Sequence, residues 1–136
     1  MKRKVLLVDD NAANRKLIRD LLNHTKLEII EARNGPQAVE MAIRQNPSLI
    51  LLELDMPVMS GREVYTILRQ NPSTRRIPII ALTNKSADVA AEAAGFSVAG
   101  FNDLLSKPIP IKTLVGKIQP YVNIANSMAR EKAYLM

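Results

Sequence analysis

Short aliphatic runs alternate along this chain with longer segments whose apolar residues return every three or four positions. The first run, KVLLVDD from Lys4 to Asp10, is rich in Val and Leu and ends in two acids, as expected of a strand buried on both faces. It is followed by NAANRKLIRDLLNH, where Leu17, Ile18, Leu21 and Leu22 fall on one helical face behind Asn11, a suitable N-cap. KLEIIEA predicts a second strand. NGPQAVEMAIRQNP predicts a turn at Asn34-Gly35 and a helix that opens with Pro36 and stops before Pro47. The alternation continues with SLILLELD as a third strand, GREVYTILRQNP as a third helix and IPIIALTN as a fourth strand. The Ala-rich SADVAAEAAG then predicts a fourth helix closed by Gly95. A fifth strand is expected near Gly100 to Leu105, and a fifth helix over IKTLVGKIQPYV with Pro120 near its end.

Five aliphatic strands alternating with five helices imply an α/β fold, a doubly wound, five-stranded parallel sheet of (βα)5 order covered on both faces. Such open sheets bind ligands beyond the carboxyl ends of their strands, where the strand order reverses. The residues at those ends are therefore the functional candidates: Asp9 and Asp10 after the first strand, Glu53 and Asp55 after the third, Thr83 at the fourth and Lys107 at the fifth.

Composition narrows the chemistry. The 136 residues suit one domain with one core, and 47% hydrophobic with 24% charged residues is the balance of a globular chain. There is no cysteine, which excludes disulfides, thiolate catalysis and Cys-based zinc sites. The single histidine, His24, leaves little room for imidazole-based metal or general-base sites and reads as a helix-ending residue near the negative end of the helix dipole. A formal net charge of +6 invites an acidic partner, but the basic residues are scattered apart from MKRK at the start and Arg75-Arg76, and aromatic residues make up only 4%. Direct nucleic-acid binding is not expected. The apolar run after MKRK is too short for a signal peptide or a membrane span, so a cytoplasmic location is the expectation.

Carboxylates converging on one rim repel one another and call for a cation. A hard ion such as Mg²⁺ prefers oxygen ligands and joins one or two carboxylates to a phosphate oxygen, while a lysine and a threonine hydroxyl hold the remaining phosphoryl oxygens. The set reads as a Mg²⁺-assisted phosphoryl site. VLLVDDN, LILLELDMPVMSG, IIALTN and FNDLLSKPI, in this order and at the ends of the corresponding strands, resemble the receiver domain of two-component response regulators over residues 3 to 122. The resemblance implies a flavodoxin-like receiver fold in residues 1–122. It further implies that Asp10 binds Mg²⁺ directly, Asp9 largely through water and Asp55 through its backbone carbonyl, that Thr83 and Lys107 contact phosphoryl oxygens, and that the Lys107-Pro108 peptide is cis. Met56, Pro57 and Gly61 are expected to shape the loop without taking part in chemistry.

Two positions depart from the resemblance. Where receivers carry the aspartate that accepts phosphate, this chain has Glu53, whose extra methylene carries the carboxylate about 1.5 Å farther, into the space of metal or phosphoryl oxygens. Phosphoryl transfer rests on positioning and charge stabilisation, so the displacement implies a loss on the order of 10²-fold or more. The longer carboxylate either imitates part of an aspartyl phosphate near Lys107 and Thr83, the reading favoured from the sequence, or pairs with Lys107 and leaves the switch inert; imitation is partial, with about one negative charge in place of nearly two. The second departure is Leu104, where receivers carry Tyr or Phe; strand alternation predicts that Phe101 lies on the opposite face from Leu104 and does not replace it.

The sequence thus predicts a non-enzymatic regulatory receiver that works as a protein-interaction module, impaired in phosphorylation or mimicking it, with Mg²⁺ binding weakened by Glu53. The alternative is a conventional response regulator phosphorylated by a histidine kinase. A small phosphohydrolase is disfavoured, since ELDMP lacks the Asp-x-Asp nucleophile arrangement and no Gly-rich phosphate loop follows the first strand. Expected partners are a histidine kinase or phosphotransfer protein, a downstream output protein, and a second copy docking through the Ala-rich helix, fifth strand and last helix or through the tail. That tail, residues 123–136, reads as a helical extension or linker.

Overall fold

The computed structural model describes residues 3–83 and 100–122. Within them the chain runs β1 (Lys4–Val8), α1 (Ala12–Leu21), β2 (Glu28–Ala32), α2 (Gly35–Gln45), β3 (Leu49–Glu53), α3 (Gly61–Gln70), β4 (Ile79–Thr83), β5 (Asp103–Ser106) and α4 (Ile111–Val122). The Ala-rich helix predicted over Ser86 to Gly95 and the tail beyond Val122 lie outside the described residues, and with them most of the surface expected to join two copies. The five strands form one parallel sheet in the order β2-β1-β3-β4-β5.

Local signals account for most boundaries. Asn11 caps α1 by accepting the Asn14 N–H at 3.0 Å, and Asn34 caps α2 by accepting the Gln37 N–H at 2.8 Å. Ser60 and Glu63 close a reciprocal capping box on α3, so both ends of that exchange satisfy backbone donors the helix leaves open. α1 ends at Leu21, earlier than its apolar spacing suggests, and His24 sits in the exposed turn beyond it instead of in the last helical turn.

The alternation of side chains along a strand divides the core in two. Leu6, Val8, Ile50, Leu52, Ile79 and Ala81 face α2 and α3, while Val5, Leu7, Leu49, Leu51, Ile80 and Leu82 face α1 and α4. The central strands β3 and β4 are buried throughout, and β1 is buried from Val5 onward; β2 and β5, at the sheet's edges, are largely half-buried. Helices on both faces demand this distribution, which is why the central strands read as continuous aliphatic runs.

Phe101 requires a correction. It was expected opposite Leu104, yet both pack into the α2–α3 half of the core. Strand β5 begins only at Asp103, and the preceding backbone turns through Gly100 at φ 92°, so strand alternation does not extend back to Phe101. There Phe101 stacks on Tyr65 of α3 with ring centroids 4.3 Å apart. The Arg69 guanidinium lies 5.1 Å from the Tyr65 ring centre and donates to the Arg75 carbonyl at 3.1 Å, the Ile77 carbonyl at 2.7 Å and Asn102 Oδ1 at 3.3 Å. Asn102 Oδ1 also accepts the Ile79 N–H at 2.9 Å, so this cluster pins the last turn of α3 to the start of β4 and the approach to β5.

Candidate functional site

Strand register alone brings two carboxylates level. β1 pairs with β3 as Val5 with Leu49, Leu7 with Leu51 and Val8 with Leu52, and one further step sets Asp9 beside Glu53. By alternation both fall on the α1–α4 face, as do Leu82 and Leu105, and Lys107 follows Leu105 in the same phase. Adjacent strands lie about 4.8 Å apart, and two like charges at that spacing repel by a few kcal/mol at an effective dielectric constant of about 20.

Lys107 resolves the repulsion. Its Nζ donates to Asp9 Oδ2 and to Glu53 Oε2, forming an ion pair with each. The remaining oxygens are held by the main chain: Asp9 Oδ1 accepts the Asn11 N–H at 3.0 Å, and Glu53 Oε1 accepts the Asp55 N–H at 3.1 Å. Asp9 is 1% exposed, Glu53 2%, and the Lys107 side chain 12%. Burial is the largest influence on Glu53 and pushes its carboxyl above the ordinary range; the hydrogen bond and charge of Lys107 and the Asp55 N–H pull the other way, and the Asp9 charge adds to the rise. For Lys107 burial acts downward, but the hydrogen bonds and charges of Asp9 and Glu53 together outweigh it, and its ammonium is held above the ordinary range.

The other predicted residues stand around this triad. Thr83 ends β4, is buried, and accepts the Lys107 N–H through its carbonyl at 2.8 Å; its phase along β4 is that of Ile79 and Ala81. Asp10 is exposed on the rim. Asp55 is exposed too and reaches Glu53 through its N–H. The Lys107-Pro108 peptide is cis, as the resemblance implied. Gly61 lies so close under the end of β3 that a Cβ there would collide with the Glu53 carbonyl and stand 2.8 Å from Leu54 Cα, while its N–H donates to the Leu54 carbonyl at 3.0 Å. Its service to the backbone is the shaping role expected of it.

Arg15 was not among the sequence candidates. Its Nη1 donates to the Asp9 carbonyl at 2.8 Å and its Nε to Glu31 Oε1 at 3.1 Å, tying the end of β1 to β2. The available signal was its place one turn into the helix that follows the acidic pair. Beside Lys107 lies a mainly apolar cleft of about 260 Å³ lined by Asn14, Leu17, Ile18, Leu21, Lys107, Pro108 and Ile109, with Leu17 half exposed.

Asp9, Asp10, Glu53 and the Asp55 carbonyl are the oxygen donors a hard cation takes, but their folded arrangement does not suit a divalent ion. All four oxygens of Asp9 and Glu53 are already bonded, and among the described residues no group of three or more acidic or histidine side chains is gathered for a metal.

Residues 5–119 match the family model described as the response regulator receiver domain. The chain is 34% identical over 125 residues to the polar-differentiation response regulator DivK of Brucella anthropi, covering 92% of this chain and 100% of that protein, and 33% identical over the same span to DivK of Brucella ovis. Among solved structures it resembles the receiver domain of the sensor histidine kinase PA1611 from Pseudomonas aeruginosa, which has a magnesium ion coordinated in its active site cleft. That likeness has a TM-score of 0.79 at 31% identity and covers 90% of this chain and 98% of that one. The Vibrio cholerae chemotaxis protein CheY4 gives a TM-score of 0.79 at 26% identity, over 89% of this chain and 99% of that one.

Proposed function

Since this chain belongs to the response regulator receiver-domain family, we propose that it is an atypical member of it, a regulatory interaction module whose acceptor position, Glu53, does not take up phosphate efficiently. Receivers of two-component systems interact with histidine kinases and output proteins and are in general regulatory and not catalytic. The observation that carries the proposal is the state of the Glu53 carboxylate: one oxygen is engaged by the Asp55 N–H and the other by Lys107 in a nearly water-free position. An acceptor must present a free oxygen in line with the incoming phosphorus, and positioning is nearly all that catalyses this transfer. Here Lys107 and the Asp55 N–H each hold one Glu53 oxygen, so attack on phosphorus has to compete with both.

In this reading Asp9, Asp10 and the Asp55 carbonyl are the donors Mg²⁺ would take once Lys107 gave way, Thr83 and Lys107 stand at the phosphoryl position, and residues 1–122 are the signalling domain. The pairing with Lys107 supports the inert alternative over imitation of an aspartyl phosphate, because the carboxylate spends its charge inside the site. The apolar cleft between α1 and Lys107 supports contact with a partner helix or loop next to that site.

The test is intact mass after incubation with acetyl phosphate and Mg²⁺. The expected result is no phosphoryl mass on the wild type and phosphoryl mass on Glu53→Asp. Equal labelling of both would overturn the proposal in favour of a conventional phosphoacceptor.

A further inference from the structure

The Asp9–Lys107–Glu53 arrangement has a consequence for cations. Two carboxylates on adjacent strands, each almost without water, need a positive charge between them, and Lys107 supplies it from the strand at the other side of β4. Each oxygen of Asp9 and Glu53 already accepts one hydrogen bond, so a metal there would compete with Lys107 and the main-chain donors. Among the described residues there is also no buried side-chain nitrogen or oxygen lacking a partner that would mark a ligand's place.

We infer that Lys107 is the resident counter-ion of Asp9 and Glu53, so that this receiver closes its site without a divalent cation and admits Mg²⁺ only by displacing the Lys107 ammonium. The inference rests on the reading of Glu53 given above and adds how the site is regulated: by the lysine's own partnership and not by metal occupancy. The charge count favours it. The two buried carboxylates and one ammonium leave a single negative charge, so with Lys107 in place the buried pair attracts a divalent ion far less than two uncompensated carboxylates would. The length of Glu53 is what brings its Oε2 to the ammonium; an aspartate, shorter by one methylene, would draw its carboxylate back from Lys107 and open room for an ion.

The experiment uses the full chain, with thermal unfolding and calorimetric titration in metal-free buffer and in millimolar Mg²⁺. The wild type is expected to unfold at the same temperature in both buffers. Lys107→Met, with its carboxylates facing one another uncompensated, is expected to unfold earlier without metal and to regain stability with Mg²⁺, and Glu53→Asp to be stabilised by Mg²⁺ as well. Mg²⁺ should bind the wild type at least about tenfold more weakly than Glu53→Asp, the cost of breaking a charge-assisted hydrogen bond. Equal Mg²⁺ stabilisation of wild type and Glu53→Asp would overturn the inference, as would a folded Lys107→Met indifferent to Mg²⁺. If Lys107→Met does not fold in either buffer, the wild-type and Glu53→Asp titrations decide alone. Phosphoryl mass measured on the same samples separates the two readings. Labelling of a wild type that ignores Mg²⁺ would overturn the impaired-acceptor reading and leave the counter-ion in place, and a Mg²⁺ response without labelling would do the reverse.

Discussion

Two cations organise opposite margins of this fold, and they are held in different ways. Lys107 lies between two buried carboxylates at the carboxyl rim. Arg69 sits at the α3–β5 margin among neutral partners, two backbone carbonyls, the Asn102 side-chain oxygen and the face of Tyr65. Backbone carbonyls and an amide oxygen do not titrate, so the hydrogen bonds of Arg69 do not change with pH. Carboxylates can take up a proton or a metal, and either changes what Lys107 is bound to. The same fold thus carries one margin held by neutral partners and one held by ionisable carboxylates.

The comparison breaks most severely at Lys107. Replacing it by Met leaves two nearly dry carboxylates side by side, a loss of about 3–5 kcal/mol expected on breaking a buried pair, measurable by urea unfolding in metal-free buffer. Arg69→Ala should cost less, about 1–3 kcal/mol from lost hydrogen bonds and the cation–π contact. Its loss should be the same with or without Mg²⁺, whereas that of Lys107→Met should shrink when Mg²⁺ is added. Phe101→Leu keeps apolar volume but removes the stack on Tyr65, an expected loss of about 1 kcal/mol, again indifferent to metal.

The smallest effect lies in alkaline solution. The Lys107 ammonium is held above its ordinary value of 10.5, so the folded state binds that proton more tightly than the unfolded chain. Its stabilisation is fully present below 10.5 and declines as pH rises through the folded value. In alkaline solution the stability gap between wild type and Lys107→Met should therefore narrow above about pH 10.5. A gap at Lys107 that is flat across this range would remove the distinction between the two margins.

The strand ends were legible in the sequence. Asp9, Glu53, Thr83 and Lys107 were placed at strand ends by the aliphatic runs that precede them, because a run buried on both faces must stop where charge begins. Asn11 was readable as a cap because capping is a local exchange between a side chain and the N–H three residues on, whereas Asn34, read as part of a turn, caps α2 in the same way. Phe101 was misplaced for an equally local reason: alternation was continued into backbone that Gly100 turns away from the strand geometry. Arg15 and Arg69 were not anticipated, since their partners lie on other elements and no short-range pattern marks them.

The sequence by itself therefore determined which residues end the strands and that the sheet is parallel and covered on both faces. The tertiary structure decided the rest. Register set Asp9 level with Glu53, and strand order brought Lys107 within reach of both. Periodicity and capping act within a few residues and are written in the chain, whereas the neutralisation of two buried charges depends on residues 54 and 98 positions apart and exists only once the sheet has assembled.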